Sequence, residues 1–210
     1  DDGSSDNSKN IILKFMKIDD RIKFIKQKNM GLTKSLNKGI KILIAISRFW
    51  EQRVNYSNAL NKYVILGVTG PNEYENNVNN NWYTNYSAKW CLEYTNETLK
   101  EIADTNLGHY KKILNETSLE KTEISKWNKI INNIYLPYSE DLDVFIQNDG
   151  FLNKDLQPVT SIPIDQRPIN QHWSWDKILR SPYIKQADVL QGFYFFEDDF
   201  SKDELLNNFN

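Results

Sequence analysis

Apolar positions recur at helical spacing in several long runs and rarely alternate as a strand would. The sharpest run begins at Thr33, a suitable N-cap, and continues through Leu36, Ile40, Leu43, Ile44 and Ser47 at three- and four-residue steps. Ala45, Phe49 and Trp50 widen that face, so the spacing predicts a helix over about 34–54, buried on more than one side. A second helix is predicted from Trp82 to Thr105, with Tyr83, Tyr86, Trp90, Tyr94 and Leu99 as its stripe, and a third from Ser118 to Ile134. Tyr183–Phe200 reads as a very apolar closing helix. Upstream, Ile11–Met30 mixes Lys with Ile and Phe irregularly and allows a helix, after a polar start expected to fray. Lys62–Pro71 is a short β-branched run ended by Gly70-Pro71, which suits an extended segment entering a loop. Leu136–Pro182 is irregular and carries most of the prolines. The pattern therefore predicts a mainly α protein with long loops. Loops beyond about 12–15 residues are functional or disordered, and the Trp and Tyr content here argues against disorder.

Composition sharpens that picture. The 210 residues suit one domain, and 40% hydrophobic with 13% aromatic residues can build a packed core. Lys and Arg number 26 against 28 Asp and Glu, so the basic excess of a nucleic-acid binder is missing. No apolar stretch approaches the roughly 20 residues of a membrane helix. The acidic start does not read as a signal peptide as it stands, and the single Cys91 cannot form an internal disulfide. A soluble, cytoplasmic protein without a metal site is expected. Cys91 reads as a small hydrophobe, and His109, after Gly108, as a capping residue at a helix end. His172, among aromatics in RPINQHWSWDK, suits loop packing and sugar contact equally.

Dinucleotide, phosphate-loop, nucleophile-elbow and zinc-protease motifs are all absent. The most unusual segment is Gly67–Tyr86, GVTGPNEYENNVNNNWYTNY. Gly70-Pro71 forces a turn that presents Asn72 and Glu73 at a loop tip, with Tyr74, Trp82 and Tyr83 nearby. Amides match sugar hydroxyls as donor and acceptor, and aromatic faces pack on sugar rings. A carboxyl in such surroundings can serve as a general acid on a glycosidic oxygen. The competing reading is compositional: Asn is frequent throughout the chain, and an Asn run can surround an ordinary turn.

This segment, together with Asp149–Ser201 and with IKILIAISRFWEQRVNYS at residues 40–57, resembles glycoside hydrolase family 65. The resemblance covers about residues 40–205 and rests on two long motifs. It implies that residues 39–205 form part of an (α/α)6 barrel, a six-hairpin toroid, with 206–210 its truncated end. Residues 1–38 show no family resemblance and are unassigned. Family members are far longer, so the chain is expected to be a fragment of the catalytic barrel. By the same resemblance Glu73, in Gly70-Pro71-Asn72-Glu73-Tyr74, matches the proton donor, and Lys185-Gln186 match the pair that holds the bound sugar. The family's upstream Trp-Asp pair has no counterpart, since SWDK at 174–177 follows the acid. Its His-Ser phosphate loop is expected beyond Asn210. The implied activity is inverting phosphorolysis of a disaccharide, with the Pro168–Phe200 stretch favouring maltose, phosphate as co-substrate, no metal or organic cofactor, and a homodimer. The rival expectations are an inverting hydrolase, for which Glu75, Asp176 and Asp188 are possible bases but no motif positions them, and a non-catalytic carbohydrate-binding remnant. Because part of a barrel leaves helix flanks bare, and Phe193–Phe196 are consecutive aromatics, marginal stability and self-association are also expected.

Overall fold

The computed structural model describes residues 5–19, 22, 24 and 32–209, with the side chains at 32–38 outside that description. Eight α-helices and two short hairpins are found among the described residues, so the mainly α expectation holds. Helix α1 spans Ser8–Met16 and buries none of its residues. It starts inside the segment expected to fray and is shorter than the Ile11–Met30 run, most of whose remainder lies outside the described residues. Helix α2 spans Leu32–Arg53 and α3 spans Trp82–Thr105, close to the predicted ranges. The proposed Thr33 cap and Leu36 contact lie outside the described side chains.

The chain divides into two units, residues up to 46 with 97–120, and residues 47–96 with 121–210. In the first, Ile40, Ile44, Leu99, Ile113 and Leu119 are buried. Helix α4, Leu107–Thr117, is an element that periodicity did not predict. Asn106 caps it, its Oδ1 accepting the His109 N–H at 2.9 Å. His109 therefore lies in a first turn, not at a helix end as expected, and the cap is the asparagine. The helix closes on Ser118, left-handed at φ 51°, with Leu119 N–H donating to the Leu114 carbonyl at 3.1 Å. That six-to-one bond is a Schellman closure made without glycine. Lys41 and Glu116 pair at 2.9 Å on the surface.

In the second unit, Asn81 caps α3, its Oδ1 accepting the Thr84 N–H at 3.0 Å and hydroxyl at 2.9 Å. The face α3 buries runs through Trp82, Asn85, Tyr86, Ala88 and Leu92. The predicted stripe is thus rotated: Trp90 and Tyr94 stack on each other at 5.1 Å on the exposed side. Small residues replace them inside, where Thr95 Oγ1 takes the Ser47 hydroxyl at 2.9 Å. Helix α5, Lys121–Asn133, starts later than expected because Ser118 ends the preceding helix. Its Trp127 Nε1 donates to Glu51 at 2.8 Å, and Arg48 grips Glu123 through two bonds of 2.6 and 2.9 Å.

Strands β1 (Asn55–Ser57) and β2 (Lys62–Val64) pair antiparallel, Tyr56 opposite Tyr63, and β3 (Tyr138–Ser139) pairs with β4 (Val144–Phe145). The predicted irregular stretch is otherwise short 3₁₀ turns and α6, Trp175–Arg180. The predicted closing helix is broken. Helix α7 covers only Asp188–Phe195, a 3₁₀ turn follows at Glu197–Asp199, and α8 covers Lys202–Phe209. Three acidic residues sit where the helix would end, against the negative pole of its dipole. Of the four consecutive aromatics, Phe193 is buried, Phe196 half-buried, and Tyr194 and Phe195 exposed, so no single face hides them. Trp82, Tyr86, Val189 and Phe193 form one core cluster, and Ile162, Ile169 and Ile178 a second, with Tyr74, Trp173 and Tyr183 against it. The site stands on this second cluster.

Candidate functional site

The Gly70–Glu75 turn is built on polar groups rather than apolar ones. Val68 and Val78 bridge its base through N–H···O bonds of 2.8 and 2.9 Å. At Gly70 a Cβ would collide with the side chains of Asn81 and Asp188, so only glycine lets the turn come this close. Beneath it lie buried amides. Asn80 Oδ1 accepts the Ile65 N–H at 3.0 Å, and Asn81 Nδ2 donates to Asp188 Oδ2 at 2.7 Å. Asn85 Nδ2 donates to the Tyr135 carbonyl at 2.7 Å. The frequency of Asn has a structural cause on both counts. These amides replace backbone partners in the interior, and Asn61, Asn77 and Asn80 occupy left-handed turns.

That placement corrects the reading of the segment as sugar-facing amides. Asn72, expected at the loop tip, is 1% exposed. Its Oδ1 accepts the Lys185 N–H at 2.9 Å and its Nδ2 donates to Glu75 at 3.2 Å. Glu75 is buried as well, held by Asn148 Nδ2 at 2.9 Å and by the Lys154 ammonium. Glu73 alone of this group reaches solvent, its side chain 66% exposed.

Glu73 and Lys185, 112 residues apart, meet in an ion pair. The Glu73 carboxylate raises the Lys185 pKa above its ordinary value, first through that hydrogen bond and then by its charge. Both residues line a pocket of about 350 Å³ with Tyr74, Asn170, Trp173, Trp175 and Ile178. Its wall is aromatic. Tyr74 and Trp175 meet edge to face at 6.4 Å, and the Tyr74 hydroxyl donates to Asn170 at 3.2 Å. Lys177 lies over the Trp173 ring at 3.6 Å, and Trp173 Nε1 donates to Gln166 at 2.7 Å.

The structure thus brings Glu73 and Lys185 together but leaves Gln186 out of the pocket lining. Gln186 is half-buried, its carbonyl accepting from Gln147 at 3.4 Å and its Oε1 lacking a hydrogen-bond partner. His172 is exposed at the end of a 3₁₀ turn and does not line the pocket. Of the carboxylates considered as a base, Asp176 pairs with Arg180 at 2.6 Å on the surface. Asp188 lies fully buried under the turn, and burial pushes its pKa up to about 6 against the opposing bonds from Asn81 and the Asn72 backbone. Cys91 is half-buried, and burial pushes its thiol up, which makes it a poor nucleophile. The tryptophans of the wall carry no local motif, and only the aromatic density around HWSW hints at them.

Among the described residues, no group of three or more His, Cys, Asp or Glu side chains could hold a metal ion. Likewise no described helix is long and apolar enough to cross a membrane.

Residues 32–210 match the family model described as Glycosyl hydrolase family 65 central catalytic domain. Residues 1–43 match that of Glycosyl transferase family 2. Maltose phosphorylase of Bacillus subtilis (strain 168) is 53% identical over 171 residues, 81% of this chain and 22% of that protein. Kojibiose phosphorylase of Halothermothrix orenii is 38% identical, and alpha,alpha-trehalose phosphorylase of Thermoanaerobacter brockii 40%, over 83% and 82% of this chain and 22% of each protein. A solved structure assigned as a kojibiose phosphorylase from the human microbiome superposes with a TM-score of 0.72 at 32% identity, over 95% of this chain and 26% of that one. The chain spans about a fifth of the length of the curated relatives it matches.

Proposed function

The chain belongs to glycoside hydrolase family 65, and from that premise we propose that it carries the general-acid side of an inverting disaccharide phosphorylase site. In this reading Glu73 protonates the glycosidic oxygen while phosphate attacks the anomeric carbon from the opposite face of the ring. Phosphate replaces the base-activated water of an inverting hydrolase, so one carboxylic acid suffices. Maltose and phosphate give β-glucose 1-phosphate and glucose, with no metal or organic cofactor. The helices belong to part of the (α/α)6 barrel.

The observation that carries the proposal is the pairing of Glu73 and Lys185 at the mouth of one aromatic-walled pocket. Among the described residues Glu73 is the carboxylate that lines it, and phosphorolysis needs one acid where inverting hydrolysis needs a second roughly 6.5–9.5 Å away. An ion-paired carboxylate is the wrong form of an acid. A sugar whose hydroxyls take over the Lys185 ammonium would break that pair, while Trp175 and Trp173 offer faces for the ring. Maltose is favoured over kojibiose and trehalose by the higher identity, 53% against 38% and 40%.

Glu73→Gln tests the assignment. In the intact enzyme the expected result is a fall in kcat on maltose of at least about two orders of magnitude, with far less effect on a glucoside whose leaving group needs no proton. Near-normal phosphorolysis of maltose by that variant removes Glu73 from the role.

A further inference from the structure

The ion pair at the pocket mouth does not fix its own geometry. The Lys185 and Glu73 side chains are 46% and 66% exposed, and pairs so open to water contribute little and tolerate many arrangements. Yet two segments 112 residues apart hold these groups within contact. What holds them lies one residue away from the acid. Asn72 is buried, and both ends of its amide are used. Oδ1 accepts the backbone N–H groups of Lys185 at 2.9 Å and Tyr74 at 3.4 Å, and Nδ2 donates to Glu75 Oε2 at 3.2 Å. Glu75 is itself anchored by Asn148 and Lys154, which flank the first 3₁₀ turn, Phe151–Asn153. One amide therefore registers three segments: the acid's turn, the Lys185 strand of chain, and the Asn148–Lys154 stretch.

We infer that Asn72 is a positioning residue for the proposed acid: its side chain sets the span between Glu73 and Lys185 by tying the turn to the Lys185 backbone on one side and to Glu75 on the other. The inference rests on Glu73 being the acid, since only then does that span bear on proton transfer. Asn suits the position because it needs an acceptor facing a backbone N–H and a donor facing a carboxylate. Aspartate supplies the first and not the second, and would set two carboxylates against each other.

The test reads Lys185 in the 210-residue chain by NMR, without substrate. In Asn72→Ala the Lys185 amide should exchange roughly tenfold faster, about the factor one hydrogen bond is worth, while α3 and α5 keep their protection. The raised Lys185 ammonium pKa should fall back towards its ordinary value. Asn72→Asp should show the same loss of the Glu73 pairing. Asn72→Asp combined with Glu75→Gln reverses donor and acceptor across the contact and, with Lys154→Met added so that no buried ammonium is left unpaired, should restore the Lys185 titration. Wild-type exchange and titration of Lys185 in Asn72→Ala overturns the inference. Should that variant lose protection throughout, the swap decides: a triple variant that folds and titrates at Lys185 no better than Asn72→Asp overturns it as well. Turnover by Glu73→Gln reports on the acid separately, so failure of one assignment is not mistaken for failure of the other.

Discussion

Gly192 lies in the interior of α7, where helix propensity alone says that alanine would stabilise by about 0.5–1 kcal/mol. The packing predicts the opposite sign. A Cβ at Gly192 would overlap Trp82 Cζ3 and stand 3.2 and 3.3 Å from Cη2 and Cε3 of the same ring. The indole cannot yield. It is 0% exposed, stacked on Tyr86 at 4.9 Å and flanked by Phe145, Phe193 and Phe200 at 5.2, 5.4 and 5.9 Å between centroids. Overpacking of a tight core costs about 1–3 kcal/mol, and an overlap on this scale belongs at the upper end. Net of the propensity gain, Gly192→Ala should destabilise by about 2 kcal/mol, a large share of the roughly 5–15 kcal/mol that holds a domain. Urea unfolding followed by far-UV circular dichroism gives the number. Gly39→Ala in α2, where a Cβ meets nothing within 4 Å, is the control and should gain up to about 1 kcal/mol. Trp82→Phe removes the ring atoms in the way, so the double variant should be more stable than the sum of the singles by about 1 kcal/mol. A Gly192→Ala chain as stable as wild type, or a cycle without coupling, refutes this account of the core.

Two further expectations concern buried charge. The Asp188 pKa, raised to about 6 from 3.8 by burial, means that the folded chain binds that proton more tightly than the unfolded one. Its contribution is therefore fully present below the unfolded pKa and is lost as pH rises through about 6. Between about pH 7.5 and about pH 5 wild type should regain about 1 kcal/mol that Asp188→Asn does not, read from urea midpoints, and identical pH dependence in the two chains excludes the effect. Lys154→Met strands the buried Glu75 carboxylate, and should cost about 3–5 kcal/mol at neutral pH in the same assay; a cost within about 0.5 kcal/mol would show the pair to be solvated.

Where bonding is local, the sequence carried the fold. Helix α3 matched its predicted range because Asn81 caps it and its periodicity is its own. Helix α4 escaped notice because its limits are set by single residues, the Asn106 cap and a left-handed Ser118, not by a long apolar stripe. The start of α7 was misread for a different reason. Tyr183–Ala187 carries no helix breaker, but the Lys185 N–H is given to Asn72 from across the chain, a bond that no window of sequence contains. The site divides the same way. Glu73 and Lys185 could be picked out by resemblance. The burial of Asn72, Glu75 and Asp188 beneath them arises from contacts over 73–113 residues and leaves no local trace.

The exposed lining of the pocket and the buried layer behind the Glu73 turn answer to different constraints. Asn170 and Trp175 in the lining are exposed, and substitutions at such positions usually change stability by no more than about 0.5 kcal/mol. Asn72, Glu75, Asn148 and Asp188 stand outside the lining, buried and bonded to one another's segments, so a change in any one is felt by the turn that carries Glu73. The exposed lining can therefore vary without being vetoed by folding, whereas the buried layer is free to change only through paired substitutions. An engineer reshaping the pocket would diversify its exposed residues at little structural risk and leave the amides alone.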